Sequence, residues 1–197
     1  MTPIILASTS AARAGLLRAT GAPFSVASPS VDEEAAKTRL VADGFDPKAV
    51  AKSLAAMKAV AVSNHRPGLV IGADQTLEFE GSLFDKPGGL DEARDRLLML
   101  RGRVHTLHAA VCVARDGIPL WSEVSSPRLT MRDFSDNFLQ TYLEQAGSAL
   151  LSSVGGYYLE GQGAQLFDQI EGDYFAILGL PLLGVLACLR RFGGLAP

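Results

Sequence analysis

Several things are scarce in this sequence, and each scarcity closes a class of function. Only two of its 197 residues are cysteine. Cys112 and Cys188 both sit inside apolar runs, Ala-Val-Cys-Val and Leu-Ala-Cys-Leu, which reads as small buried thiols rather than a disulfide or a zinc pair. No His/Cys cluster has metal-ligand spacing, which argues against zinc. Basic residues are not in excess. The net charge is −3, so neither a nucleic-acid polymer nor a membrane is an expected partner. The long apolar stretch Phe175 to Leu189 is interrupted by Gly179, Pro181 and Gly184 and is too short to span a bilayer. No basic-then-apolar leader precedes the first predicted strand, and the expected setting is cytoplasmic. Gly-x-Ser-x-Gly, Gly-x-x-x-x-Gly-Lys-Ser/Thr and Gly-x-Gly-x-x-Gly are all absent. Serine-hydrolase, P-loop and dinucleotide-binding readings therefore fail.

What is present is an ordinary globular balance, 48% hydrophobic and 20% charged, over a length that suits one substantial core or two lobes sharing one. Strands and helices alternate at first. Ile4 to Ala7 reads as a strand, Ser10 to Ala19 as a helix stopped by Gly21, and Phe24 to Ala27 as a second strand. An acidic loop, Val31-Asp32-Glu33-Glu34, follows. Asp46 and Pro47 open a long helix whose Val50, Leu54, Met57, Ala61 stripe predicts a core face. Leu69 to Ala73 reads as a buried strand ending in Asp74, followed by a hairpin-like segment over Thr76 to Phe84 and a helix from Asp91 to Leu100. Two long antiparallel strands, Arg103 to Arg115 and Ile118 to Met131, flank the turn Arg115-Asp116-Gly117. Ser135 caps a helix to about Gln145, a strand pair is expected around Glu171-Gly172-Asp173, and Pro181 opens the last helix. The pattern predicts an α/β protein with a mixed sheet of long strands and two lobes around a central cleft, residues 1–197 forming one domain.

The chemistry concentrates at a few places. Ile4-Ile5-Leu6-Ala7 runs into two hydroxyls, Ser8 and Ser10, and then into a helix with Arg13 in its first turn. A helix start exposes N–H groups without intrahelical acceptors and carries partial positive charge, so this is a seat for phosphate as well as an ordinary cap. Asp74, after an apolar strand, is placed to hold a divalent ion or take a proton from water. Glu33 lies in a run of three acids that would be a solvated loop unless a phosphate site calls for a metal. Lys58 and Lys86, with Arg13, can neutralise a polyphosphate. His105, alone in a strand, reads as structural.

Taken together, Leu6-Ala7-Ser8-Thr9-Ser10, Arg13, Asp32-Glu33, Lys58-Ala59, Ile71-Gly72-Ala73-Asp74, Lys86-Pro87, Gly102…His105, Gly155…Gly161 and Gly179-Leu180-Pro181-Leu182 resemble the Maf family of nucleoside triphosphate pyrophosphatases over nearly the whole chain. The resemblance implies the Maf/inosine triphosphatase-like fold, a homodimer, and hydrolysis of a nucleoside triphosphate to monophosphate and pyrophosphate with a divalent cation (Mg2+ or Mn2+). By the same resemblance Asp74 is the proton acceptor and Glu33 and Asp74 are the metal ligands. Ser8, Ser10, Arg13, Lys58, Gln75, Lys86 and Glu160 then meet the substrate. Family members usually read Ser-Pro-Arg-Arg at the first motif, or Pro-Trp-Arg in one branch, where Ala11 and Ala12 stand here. Gln75 and Glu160 resemble the branch acting on 7-methylguanosine triphosphate, whereas the dTTP/UTP branch has Thr and Gln there. A carboxylate accepts from both the N1–H and the N2 amino group of guanine and offsets the charge that N7-methylation creates. The family also implies a second reading, a nucleotide-binding regulator of septum formation with little turnover.

Overall fold

Four consecutive apolar residues, Ile4–Ala7, form the first strand, β1, and all are buried. A strand covered on both faces needs no polar alternation. Ile4 and Leu6 join one apolar cluster with Leu17, Val185 and Leu189, while Ile5 and Ala7 pack with Val62 and Val70 on the other face. The computed structural model describes all 197 residues. Helix α1 (Ala11–Ala19) follows β1 directly, then β2 (Ser25–Ala27), α2 (Glu33–Ala42), α3 (Pro47–Ser63), β3 (Leu69–Phe79), β4 (Ser82–Phe84) and α4 (Leu90–Leu100). The rest of the chain supplies β5 (Val104–Arg115), β6 (Ile118–Ser125), β7 (Arg128–Met131), α5 (Asp136–Ala146), β8 (Phe167–Glu171), α6 (Tyr174–Ile177) and α7 (Leu182–Arg191). No helix is long and apolar enough to cross a membrane.

The strands form one eight-stranded sheet in the order β2-β1-β3-β5-β7-β8, with β4 added to β3 and β6 to β5. β1 is parallel to β2 and β3, and the other pairings are antiparallel. The spine is β3 against β5, registered from Val70↔Ala114 to Glu78↔Thr106. Because side chains alternate along a strand, Ile71 and Ala73 serve one cluster and Leu77 and Phe79 another on the same face. The opposite face is small: Ala110, Cys112 and Ala114 meet Ala51, Ala55 and Ala59 of α3. A Cβ on Gly72 would lie 2.3 Å from the Ala55 carbonyl oxygen, so α3 rests almost on the backbone of β3. The Thr76 hydroxyl donates to the Pro47 carbonyl at 2.8 Å and pins the start of α3 to the same strand.

Several expectations are corrected. The acidic run is not a loop, since Asp32 caps α2 by accepting from the Ala35 N–H at 3.0 Å. The buried face of α3 includes Val50, Leu54, Ala55, Lys58 and Ala59, while Met57 is exposed. The strand does not end at Asp74 but continues to Phe79, because pairing with β5 carries on through Asp74↔Ala110. The long strand Ile118 to Met131 is broken into β6 and β7 on either side of Ser126-Pro127. Asp173 begins the short helix α6, accepting from the Phe175 N–H, where a strand pair was expected.

Two outcomes follow from this packing. Gly72→Ala should lower stability by about 1–3 kcal/mol, the usual cost of forcing volume into a closed interface, measured as a reduced urea midpoint. His105 is buried, with its Nε2 2.6 Å from the Tyr157 hydroxyl and no partner for Nδ1, and burial pushes its pKa down from 6.5 to about 4. The native protein therefore holds His105 neutral where the unfolded chain takes up a proton. That difference begins as pH falls through 6.5 and is complete near 4, costing of the order of 3 kcal/mol. Replacing His105 by Gln should remove that portion of the acid sensitivity in denaturation curves recorded across this range.

Candidate active site

The site opens at a gap in the sheet. One edge of β3 is fully occupied by β5. On the other edge β1 pairs with residues 69–72 and β4 with residues 77–79. Between them Ala73 to Thr76 lack a strand neighbour, and a cleft of about 980 Å³ forms there. Ser8, Ser10, Arg13, Glu33, Lys58, Asp74, Gln75, Lys86 and Glu160 all line it, so the fold gathers into one cavity every site residue read from the sequence.

The serine loop is built by its own hydroxyls. Ser8 Oγ accepts from the Ser10 N–H at 3.2 Å, and Ser10 Oγ caps α1 by accepting from the Arg13 N–H at 3.4 Å. Both hydroxyls thus keep their protons available. Ala11 and Ala12, at the first helical positions, also line the cleft, where backbone N–H groups have no intrahelical acceptor and the helix dipole favours an anion. Methyl groups at these two positions, in place of longer side chains, leave that backbone open.

Arg13 has a more structural task than the sequence indicates. Its Nε donates to the Gly179 carbonyl and its Nη1 to the Ala73 carbonyl, each at 2.9 Å. It therefore closes the gap in β3 and ties it to the loop after α6. Burial pushes its pKa below the ordinary value, opposed by the negative charges of Asp74 and Glu33. Gly179, whose φ of +100° suits glycine and whose missing side chain leaves room for the guanidinium, belongs to the site for this reason.

Lys58 is the centre of charge. Its side chain reaches from α3 to 2.7 Å from Asp74 Oδ1 and 2.7 Å from Glu33 Oε2, and it is only 5% exposed. Two carboxylates from different elements converge on one cation. No three His, Cys, Asp or Glu side chains are placed to hold a metal ion among themselves. A pair of carboxylates facing a phosphate seat is the donor set magnesium uses when substrate oxygens complete its shell. Gln75, next to Asp74, points to the opposite sheet face because strand side chains alternate. Its amide donates to the carbonyls of Ala176 and Ile177 at 2.9 and 3.0 Å, so it anchors α6.

Two parts of the site escaped the sequence reading. Lys37, on the helix that carries Glu33, lies 2.9 Å from Glu34 and 2.7 Å from Asp85, and all three line the cleft. Burial acts to lower the Lys37 pKa, but its bonds and charge contacts with Asp85 and Glu34 outweigh that, leaving it raised. Buried Arg96 donates to the carbonyls of Asp85 and Val154, holding the loop that presents Lys86 against the segment leading to Glu160. Lys86 and Glu160 themselves are exposed and make no ion pair. They remain available to a ligand.

The family model described as "Maf-like protein" matches residues 3–192. A protein of Caulobacter vibrioides named nucleoside triphosphate pyrophosphatase is 58% identical over 99% of this chain and 98% of its own length. One of the same name from Paramagnetospirillum magneticum is 50% identical over 98% and 100%. A 7-methyl-GTP pyrophosphatase of Brucella abortus is 47% identical over 95% of each. By the extent of that match and the identity of these relatives, the chain belongs to the Maf-like protein family.

Proposed function

We propose that this protein hydrolyses a nucleoside triphosphate to the monophosphate and pyrophosphate, clearing modified nucleotides such as 7-methylguanosine triphosphate. The observation that carries the reading is the buried Lys58 ammonium shared by Glu33 and Asp74 beside the serine loop. Hydrolysis of a phosphoric anhydride asks for positioning and charge stabilisation more than for a covalent nucleophile. The α1 N-terminus, the Ser8 and Ser10 hydroxyls and Lys86 receive phosphate oxygens. Lys58 offsets charge at the reacting phosphorus. Asp74, at the floor of the gap, takes the proton of the attacking water. Glu33 and Asp74 would hold the divalent cation, Mg2+ or Mn2+, which supplies further neutralisation of phosphate charge when bound. Arg13 and Gln75 hold the frame around these groups through backbone carbonyls.

Glu160 supports the choice of base. It is an exposed, unpaired carboxylate on the cleft wall, suited to the paired donors and the positive charge of an N7-methylated guanine. Relatives from Brucella abortus and Brucella suis, 47% and 48% identical, are named for that substrate. The rest of the reading follows the family: one domain over residues 1–197, a homodimer, and the cytosol, where the free buried thiols Cys112 and Cys188 stay reduced.

Asp74→Asn tests the chemistry. The amide still accepts from Lys58, so the fold should persist, but it is no base and a poor metal ligand. Turnover should fall at least ~100-fold, and parental pyrophosphate release by the folded variant would remove Asp74 from its role. Glu160→Gln should shift the ratio of kcat/KM from 7-methylguanosine triphosphate towards uridine and thymidine triphosphates, because an acceptor-only group becomes one that both donates and accepts. Unchanged ratios among the three substrates would show that Glu160 does not read the base.

A further inference from the structure

The cleft wall that carries Glu160 is also built around an aromatic ring. The segment from Ser152 to Glu160 is folded tightly: a Cβ on Gly155 would lie 2.2 Å from the Tyr157 ring, and Tyr157 itself is buried against His105. Its neighbour Tyr158 is half-buried and also lines the cleft. Tyr158 is fixed at both ends. Its backbone is clamped by the following turn, since a Cβ on Gly163 would meet the Tyr158 carbonyl oxygen at 2.4 Å and its nitrogen at 2.9 Å, and its carbonyl accepts from the Gly161 N–H. Its hydroxyl contacts Ser152 Oγ. Ser152 spends its own proton on the Ala149 carbonyl at 2.8 Å, so Tyr158 is the donor in that contact. With the hydroxyl engaged and the backbone held, the ring is what Tyr158 brings to the cleft lining. A ring already immobilised loses little freedom when a ligand arrives.

Two residues further on, Glu160 lines the same cleft without a partner. An electron-rich aromatic face next to a carboxylate is the chemistry that selects a flat ring carrying positive charge. We propose that Tyr158 is a specificity-determining residue, stacking on the base and favouring one made cationic by N7-methylation over its neutral counterpart. This assignment rests on the nucleotide reading of the cleft and adds the residue that tells a cationic purine from a neutral one.

The test compares the parent with Tyr158→Leu, Tyr158→Phe and Tyr158→Trp. Binding of 7-methyl-GMP and GMP, which carry the base but no anhydride to cleave, is measured by calorimetry. Pyrophosphate release from 7-methyl-GTP is followed on the same preparations. The parent should prefer the methylated base. The Leu variant should lose about 10-fold or more in affinity for 7-methyl-GMP and less for GMP, narrowing the preference at least ~3-fold. The Phe and Trp variants, which retain a ring, should keep the preference even if the Leu variant proves unstable. A parent without the preference, a folded Leu variant that keeps it, or a Phe variant that abolishes it would each overturn the assignment. Intact base selectivity with no pyrophosphate release by the parent would instead defeat the hydrolytic reading and leave Tyr158 in place. Normal release with selectivity indifferent to the ring would defeat Tyr158 alone.

Discussion

Lys58 can lie inside the protein only because two carboxylates meet it there. A buried ammonium without partners costs several kcal/mol or titrates to neutrality. Here Asp74 from β3 and Glu33 from α2 each approach to 2.7 Å. Much of the architecture serves that meeting. The alanine face of α3 and the absent side chain of Gly72 let the helix lie against the sheet, which brings Lys58 to the level of Asp74. Helix α2 buries none of its residues, and ion pairs extend from it to α3 through Glu33 and to the loop after β4 through Lys37. The same charges that would receive a polyphosphate and its cation thus help hold the cleft in shape before either arrives.

The gap between β1 and β4 explains why these charges face a cavity rather than a neighbouring strand. β1 is short because the chain must turn at Ser8 into α1, and β4 is short because it closes a tight hairpin at Glu80-Gly81, where φ is +51° and +79°. Such a turn matches the twist of the strands it joins. The unpaired stretch of β3 is then finished by a side chain, Arg13, bonded to the Ala73 carbonyl. A guanidinium bonded to one carbonyl of the edge leaves space open beside it, which suits a ligand site at the end of a parallel strand pair.

The parts of this arrangement legible in the sequence are those set by local chemistry. Ser10 and Asp46 announce helix starts because short polar side chains cap N–H groups, and the apolar run before Asp74 announces a buried strand. α2 was hidden because a helix that buries nothing has no apolar period to read, although Asp32 followed by Glu33 and Glu34 is a start signal. The continuation of β3 beyond Asp74 was hidden because it depends on pairing with β5, some thirty residues away in the chain. The pairs Lys37–Asp85 and Arg13–Gly179 connect distant segments and leave no local trace. The family resemblance supplied the roles of Glu33, Gln75 and Glu160, and the geometry then separates them: Glu33 is held by Lys58, Glu160 is free, and the Gln75 amide is bonded to α6.

The proposed reaction has water, activated at the charge cluster around Lys58, attack the α-phosphorus. Hydrolysis of 7-methylguanosine triphosphate in 18O-enriched water, with both products analysed by mass spectrometry, tests where that attack falls. Attack at the α-phosphorus places one heavy oxygen in the monophosphate and none in the pyrophosphate released. Label appearing in pyrophosphate, or diphosphate and orthophosphate as the first products, would contradict it.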